Sequence, residues 1–286
     1  MHLAFSCICQ AIIWDIISNL DSDYHLIHDF PLSYTIFVYF NSRVATFVAF
    51  MIASVASTRP MNDCSGILSA LSWAIAVSIS STSLLYFFRV RALYMQNRYV
   101  VGFFFLLWIA VVAGCIALGI QGRNSTNLGS SPYCIADTTD SVIMVVSINI
   151  IPMINNVLSF IAATWKLMEN AHVEANFKNR FKLIIFGHYL PEFSRALLKD
   201  NQIYFLSVVV NHVITVSIFY DRGGFRPNNV ALVFANVAVM NLMGGRIYRN
   251  TRLGIRSFSH LQAISSPSQP VAFRATGTDN TTSEIV

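Results

Sequence analysis

The stretch LLYFFRVRALYMQNRYV, residues 84–100, passes directly from an apolar segment into three arginines. Arg89, Arg91 and Arg98 are the first basic residues after about twenty-five positions without any charge. An uncharged apolar segment of this length can cross a membrane as a helix, and a group of basic residues is typical of its cytosolic end. The same alternation runs through the rest of the chain and indicates its fold class.

The overall composition is that of an integral membrane protein. The chain has 286 residues, of which 55% are hydrophobic and 12% charged, and its mean hydropathy is +0.55. Soluble domains carry about 25% charged residues. The net charge of +5 comes from basic residues at the ends of apolar segments. We therefore attribute it to membrane orientation and expect no nucleic-acid partner.

Seven segments are long and apolar enough to form transmembrane helices, which need roughly 20 apolar residues each. They cover residues 3–20, 33–57, 66–88, 99–121, 141–165, 202–220 and 228–246. The predicted fold is an all-α membrane bundle over residues 1–256, followed by a disordered cytosolic tail over residues 257–286. The first segment lacks the basic start and the cleavage site of a signal peptide and contains Trp14 and Asp15, which favours a retained span.

The distribution of basic residues predicts the orientation of the bundle. The loops on one side, together with the C-terminal tail, hold fourteen Lys and Arg residues, whereas the loops on the other side hold four. The positive-inside rule therefore places the N-terminus outside and the C-terminus in the cytosol. A glycosylation sequon at Asn124 lies in a predicted outer loop. We expect the protein to be located in the plasma membrane or in another membrane of the secretory pathway.

Two cysteines lie on the predicted outer side. Cys64 precedes the third predicted span, and Cys134 lies in the loop between the fourth and the fifth. Disulfides persist on the oxidising side of a membrane, so we expect a Cys64–Cys134 bridge that pins this loop over the third helix. Two unrelated thiols are the alternative interpretation.

Charged and polar residues within apolar spans are costly and usually face the interior of a bundle. Asp15 and Arg43 are expected to form an intramembrane ion pair, with either a structural or a functional role. Pro152 is expected to kink the fifth span. The polar residues of spans five to seven either pack the helices or line a ligand pocket. The pocket candidates are Asn149, Pro152, Asn155, Asn156, Asn211, His212, Asn236 and Asn241.

The predicted cytosolic surface is basic and partly aromatic. Its candidate contact residues are Arg89, Arg91, Arg98, Lys178, Arg180 and Lys182. A basic and aromatic segment beside a membrane is typical of an interfacial helix attracted to anionic lipid, and it also suits a partner protein. Membrane topology alone explains the three arginines of residues 84–100. A receptor would require them to bind a partner as well.

Several stretches resemble a family of seven-span membrane proteins from mushroom-forming (basidiomycete) fungi that carry an N-terminal Trp-Asp domain of unknown function. The matching stretches are WDIISNLDSDYHLIHDFPLSYTIFVYFNSRVATF (14–47), SLLYFFRVRALYMQNR (83–98), PYCIADT (132–138), LPEFSRALLKDNQIYF (190–205) and MNLMGGRIYRNTRLG (240–254). The resemblance covers nearly the whole chain and implies family membership, but it brings no established activity. Many relatives have a glutamate followed by a basic residue in the first loop, where this chain has DSDYHLIHD (21–29).

A receptor of the G-protein-coupled type agrees best with an outer N-terminus, seven spans, an outer disulfide and basic inner loops. The chain lacks the Asp-Arg-Tyr triplet usual at the end of the third span and the Asn-Pro pattern of the seventh. A small-molecule transporter or channel is the alternative, although no internal repeat is visible. The receptor hypothesis makes the lipid bilayer and a cytosolic G protein the expected partners, with an unidentified ligand.

A zinc-dependent membrane lipid hydrolase is the least favoured function. His25 and His28, beside Asp29, would have to gather with His188 to supply the ligands that a catalytic zinc needs. The sequence contains no HxxxH or HExxH motif, no nucleophile elbow and no phosphate-binding glycine loop. We therefore expect a protein without enzymatic activity, catalytic residues, metal or cofactor.

Overall fold

The computed structural model describes residues 2–29, 33–58, 64–121, 149–170, 206–218 and 227–265. These residues form eight helices and contain no strand. In chain order the helices are α1 (His2–Ser18), α2 (Leu20–His28), α3 (Tyr34–Thr58), α4 (Cys64–Leu93), α5 (Arg98–Gln121), α6 (Ile151–Asn170), α7 (Leu206–Ile218) and α8 (Pro227–Ser265). The predicted all-α fold is confirmed for this part of the chain.

Three of the helices, α3, α4 and α5, are long and apolar enough to cross a membrane. This finding agrees with the prediction of a membrane protein in contact with lipid. Each of the other four predicted spans also overlaps a helix. Within the described residues, however, the apolar segments of α1 and α7 are shorter, and α6 and α8 do not reach the same length and apolarity. The number of seven spans and the orientation stay predictions.

Two boundaries differ from the sequence-based expectation. Residues 21–32 were expected to form a connection, but they contain most of α2. Asp23 and Leu26 lie three positions apart on one buried face of this short helix, which is too polar to be found by a search for apolar spans. At the other end of the chain, α8 continues past residue 256 to Ser265, shortly before Pro267 interrupts the helical pattern.

Local sequence explains where α5 begins, and a proline lies near the start of α6. Asn97 precedes α5, and its Oδ1 accepts hydrogen bonds from the backbone N–H groups of Tyr99 and Val100 at 3.2 and 3.4 Å, as an N-terminal capping residue does. Pro152 is the second residue of α6. Residues 149 and 150, directly before α6, are π-helical. The kink expected from Pro152 would involve residues 141–148, which lie outside the described residues.

The core of the bundle lies around α4, which packs against α3, α5, α6 and α8. Small polar side chains allow α3 and α4 to approach closely. The hydroxyls of Thr46 and Ser78 lie 2.5 Å apart, and Asn41 donates a hydrogen bond to Ser81 at 2.9 Å. On the opposite side of α4, Gly119 of α5 lies against an indole ring. A Cβ atom at Gly119 would lie 2.8 Å from that ring, which belongs to Trp73. Small residues therefore serve close helix packing here.

The outer faces of the long helices are apolar. Phe37 of α3, Trp73 and Val77 of α4, and Leu106 and Ile109 of α5 all belong to the large apolar side chains that are exposed. Apolar surface of this extent on helices long enough to span a bilayer is suited to contact with lipid chains. The polar groups of the bundle accordingly lie inside it, where the candidate site is found.

Candidate functional site: a buried charge cluster joining the first and last helices

Four charged side chains from four helices meet at one end of the bundle. Asp15 lies in the last turn of α1, Asp23 in α2, Arg43 in α3 and Arg249 in α8. The side chains of Asp15, Asp23 and Arg43 are each 8% exposed, and that of Arg249 is 3% exposed. We call these four residues the charge cluster.

Arg43 binds both carboxylates of the charge cluster. Its Nη2 contacts Oδ2 of Asp15, and its Nη1 donates to Oδ2 of Asp23 at 2.5 Å. A guanidinium is suited to this position because it stays charged when buried and directs several N–H donors at once. The ion pair between Asp15 and Arg43 is thus one half of a larger arrangement.

Arg249 and the hydroxyl of Tyr39 complete the charge cluster. Arg249 Nη2 lies 3.7 Å from Asp15 Oδ1, and its Nη1 lies 3.9 Å from Asp23 Oδ1. The same Nη1 donates to the Tyr39 hydroxyl at 2.7 Å, and this hydroxyl donates to Asp23 Oδ1 at 2.7 Å. Tyr39 therefore links Arg249 to Asp23 by hydrogen bonds where the two charges themselves are too far apart to form one.

The buried charges of the cluster balance. Two carboxylates face two guanidiniums, and Arg246 adds a third guanidinium at the half-exposed rim, with its Nε 3.8 Å from Asp15 Oδ1. Removing one partner of a buried pair costs about 3–5 kcal/mol because an uncompensated charge is left in a medium of low dielectric constant. The charge cluster therefore fixes α8 against α1, α2 and α3.

The local sequence places each member of the charge cluster. Asn19 separates α1 from α2, and its Nδ2 donates to the carbonyl and the carboxylate of Asp15 at 2.7 and 3.1 Å. The N–H of Asp23 donates to the Asn19 carbonyl at 2.9 Å, so Asp23 lies one turn into α2. On α3, Tyr39 and Arg43 are also one turn apart and face the same neighbours, with the guanidinium 5.4 Å from the ring.

Contacts between α3 and α8 continue beyond the charge cluster. The ring of Tyr248 stacks on that of Tyr39 with 5.1 Å between the centroids. The Tyr248 hydroxyl donates to Thr35 Oγ1 at 3.0 Å, and Arg252 Nη2 donates to the same oxygen at 2.8 Å. The first two turns of α3 therefore pack against the part of α8 around Tyr248 and Arg252.

Two members of the charge cluster were not identified from the sequence. Asp23 lies in the predicted first loop, and Arg249 is one of the basic residues that follow the last predicted span and predict the orientation. A signal for Asp23 was its position eight residues after Asp15, about two helical turns on the same face. For Arg249 the signal was weaker, because basic residues directly after an apolar span are usually topological charges.

A second polar group, which we call the amide layer, consists of Asn149, Asn211, His212 and Asn236. Asn236 of α8 is at its centre. Its Nδ2 donates to Asn149 Oδ1 at 2.7 Å and lies 2.8 Å from His212 Nδ1, and its Oδ1 accepts from Asn211 Nδ2 at 3.0 Å. The structure thus brings together four of the eight predicted pocket residues, at the contact of α7 and α8 with the residues that precede α6.

The other four predicted pocket residues do not join this hydrogen-bonded group. Asn241 donates instead to the Ser42 carbonyl at 3.2 Å and to Thr82 Oγ1 at 3.1 Å. Pro152, Asn155 and Asn156 are buried along α6. Within the described residues, Nδ2 of Asn155, both side-chain polar atoms of Asn156 and Nε2 of His212 have no hydrogen-bond partner. The interior beside α6 is therefore polar and incompletely satisfied by this part of the chain.

The predicted cytosolic contact residues have different environments. Arg89 is half-buried, whereas Arg91 and Arg98 are exposed beside the turn between α4 and α5. Several further predicted residues lie outside the described residues, namely Asn124, Cys134, Lys178, Arg180 and Lys182. The side chain of Cys64 is likewise not described, so the expected disulfide stays a prediction.

Metal-binding groups do not converge in the described part of the chain, where no three His, Cys, Asp or Glu side chains are close enough to hold an ion. His25 and His28 each lie 3.0 Å from an oxygen of Asp29 at the end of α2. His188 lies outside the described residues. Comparison of the sequence with models of protein families and with curated proteins finds no match.

Proposed function

We propose that this chain is a seven-span integral membrane protein of the receptor type, with its N-terminus outside and its C-terminus in the cytosol. In this proposal the amide layer faces an unidentified ligand. The basic end of the bundle, which includes Arg89 and Arg91, binds a cytosolic G protein. The three long apolar helices and the unequal distribution of basic residues between the two sides support the membrane arrangement. The proposed activity is signalling, without catalysis or a cofactor.

The observation that carries this proposal is the position of both polar groups on one helix. Asn236 of the amide layer and Arg249 of the charge cluster lie about 20 Å apart along α8, at a rise of about 1.5 Å per residue. Both are buried. Because α8 is continuous between them, a rotation or shift that alters the contacts of Asn236 also alters those of Arg249. A ligand at one end would thereby change the charge cluster at the other.

The charge cluster also offers an alternative pairing. Arg246 and Arg249 are three residues apart on α8, and both approach Oδ1 of Asp15, at 3.8 and 3.7 Å. A movement of α8 by about one turn, roughly 5 Å, would bring Arg246 from the rim into the buried position that Arg249 occupies beside this carboxylate. Such an exchange keeps Asp15 paired in both positions, as a two-state element of a receptor requires.

The test is a split-reporter assay in fungal cells between this chain and heterotrimeric G-protein α subunits, with tags at both termini to verify insertion and orientation. We expect association of the wild-type chain, reduced association of Arg91→Ala, and increased ligand-independent association of Arg249→Met, in which α8 is released. Correct insertion without association of any of these variants would contradict the receptor proposal.

Transport of a small polar solute is a second candidate function. It is favoured by the unpartnered polar atoms of Asn155, Asn156 and His212 within the described residues, because such atoms suit a path lined for water or solute. Swelling of proteoliposomes in solutions of glycerol or urea distinguishes the two functions. A receptor is expected to swell no faster than empty liposomes. Faster swelling that is lost in Asn156→Leu would favour transport.

A further inference from the structure

The turn between α4 and α5 forms one wall of a groove of about 1000 Å³. The groove is lined by residues 93–99 and by Lys166 near the end of α6. Among the described residues that line it, Arg98 and Lys166 are basic and none is acidic. The described lining of the groove is therefore basic, at the end of the bundle where α4 ends and α5 begins.

The two cations of the groove are available to different degrees. Arg98 is exposed and forms no ion pair with any described residue. The ammonium of Lys166 lies 3.0 Å from Glu169 Oε2 and 5.6 Å from the centre of the Tyr94 ring. Because the Glu169 side chain is 57% exposed, its rotation into water would free the Lys166 ammonium for an anion.

The tyrosines give the groove an amphipathic wall. The Tyr94 hydroxyl donates to the Ala162 carbonyl at 3.0 Å, which holds the ring between α4 and α6. Burial raises the pKa of Tyr94 above its ordinary value, so this wall stays neutral while the two basic residues carry the charge. Tyr99 is 92% exposed and Met95 is 78% exposed at the mouth of the groove.

The position of the groove is suited to the binding of a lipid headgroup. The turn that forms it connects two helices that are each long and apolar enough to cross a membrane. It therefore lies at the depth where phosphate groups and aromatic side chains meet at the surface of a bilayer. Basic recesses between transmembrane helices at this depth are suited to anionic headgroups. The amino end of α5 adds its partial positive charge.

We propose that this groove binds the phosphate group of an anionic phospholipid, with Arg98 and Lys166 as the phosphate ligands. Arg98 supplies several N–H donors, and Lys166 supplies a point charge. Tyr94 holds the Lys166 ammonium, and the exposed Tyr99 and Met95 contact the glycerol and the first acyl carbons. This inference depends on α4 and α5 crossing the membrane, and it is independent of a receptor role.

The test uses the full chain in nanodiscs of phosphatidylcholine, with and without phosphatidic acid, and native mass spectrometry to measure retained lipid. We expect phosphatidic acid to be retained in preference to phosphatidylcholine. Each of Arg98→Ala and Lys166→Ala is expected to weaken that retention about five-fold, and the double variant about thirty-fold. The charge-preserving pair Arg98→Lys and Lys166→Arg is expected to keep most of the binding, which separates a lost site from a misfolded protein.

The matched control is Arg91→Ala, which removes one exposed positive charge from the same end of the bundle but outside the groove. Equal losses of phosphatidic acid retention in Arg91→Ala and Arg98→Ala would show that retention depends on general surface charge, and would overturn the proposal. An absence of preference for phosphatidic acid would also overturn it and leave the groove to a protein partner. A further arm adds inorganic phosphate to nanodiscs of pure phosphatidylcholine. Saturable binding that depends on Arg98 would identify a soluble ion, not a lipid, as the occupant.

Discussion

The charge cluster and the amide layer both place polar side chains inside an apolar bundle, but they differ in how completely those side chains are paired. Each charged group of the cluster has an opposite charge at ion-pair distance, although Arg249 Nη2 forms no hydrogen bond within the described residues. In the amide layer, His212 Nε2 and Asn149 Nδ2 have no hydrogen-bond partner within the described residues. Losing a partner costs about 3–5 kcal/mol for a buried ion but only about 1–3 kcal/mol for a neutral polar group.

This difference indicates a division of roles along α8. The charge cluster pairs each of its charges with an opposite charge of the same cluster and fixes the position of the helix. The amide layer leaves donors and acceptors available, so it is the part of the bundle that a ligand or water can complete. Substitutions in the two regions should therefore have effects of different size and different kind.

The largest effect is expected from Arg43→Met, which leaves Asp15 and Asp23 without the guanidinium that donates hydrogen bonds to both. We expect a loss of about 3–5 kcal/mol in the free energy of unfolding, measured by denaturant titration in detergent micelles. Arg91→Met removes an exposed arginine and is the control, with an expected change within about 0.5 kcal/mol. Similar losses of unfolding free energy in the two variants would show that the buried arginine contributes no more to stability than an exposed one.

A smaller effect is expected for the coupling between Asp23 and Arg249. Each of Asp23→Asn and Arg249→Gln leaves one unbalanced charge, whereas the double variant restores balance. The double variant should therefore be more stable than the sum of the single losses predicts, by about 0.5–3 kcal/mol. The same unfolding measurement checks this double-mutant cycle. Strict additivity would mean that the Tyr39 hydroxyl, and not charge balance, determines the contribution of Arg249.

Asn236→Leu tests the centre of the amide layer. The substitution removes the partner of Asn149, Asn211 and His212, so neutral polar groups are left unpaired. We expect a loss of about 1–3 kcal/mol in unfolding free energy, less than that of Arg43→Met. A loss as large as that of Arg43→Met would contradict the distinction between the two regions.

The smallest effect is expected when an asparagine whose side-chain N–H groups donate no hydrogen bond within the described residues is replaced by leucine. Asn155→Leu replaces a buried amide whose Nδ2 has no partner in the described residues. Its unfolding free energy should change by no more than about 1 kcal/mol, in either direction, because no hydrogen bond seen here is lost. A greater loss would mean that the Asn155 side chain forms a hydrogen bond with a group outside the described residues. Asn236→Leu, measured under the same conditions, is the matched variant for comparison.

The helices were predictable from the sequence because a long apolar segment has few alternatives to a helix in a membrane protein. The Asp15–Arg43 contact followed from the cost of two charges inside apolar segments. The short helix α2 could not be predicted in this way. Only Asp23 and Leu26 among its residues are buried, and its residues are as polar as those of a typical loop. Its formation depends on the tertiary contacts of Asp23 with Tyr39 and Arg43, and the spacing of eight residues from Asp15 does not identify these two partners.

The amide layer was predicted as a set of residue types but not as a geometry. Eight residues, seven of them polar and one a proline, were equally eligible, and the structure joins Asn236 to three of the others. Asn241 lies only five residues further along α8, yet it faces α3 and α4. This division depends on how α8 is rotated about its axis, which follows from the packing of all its neighbours and is not encoded in the spacing of asparagines alone.

The charge cluster also has a consequence for how the chain is made. Asp15, Asp23 and Arg43 are synthesised early and together carry one excess negative charge, whereas Arg249 follows some two hundred residues later. At about 5–20 residues per second, the ribosome needs roughly 10–40 s to supply the missing cation. During this interval the nascent protein holds an uncompensated carboxylate, and only a chain extended to Arg249 can neutralise it. The cluster thus reports whether synthesis has reached α8, and a product truncated before Arg249 would be exposed to membrane quality control.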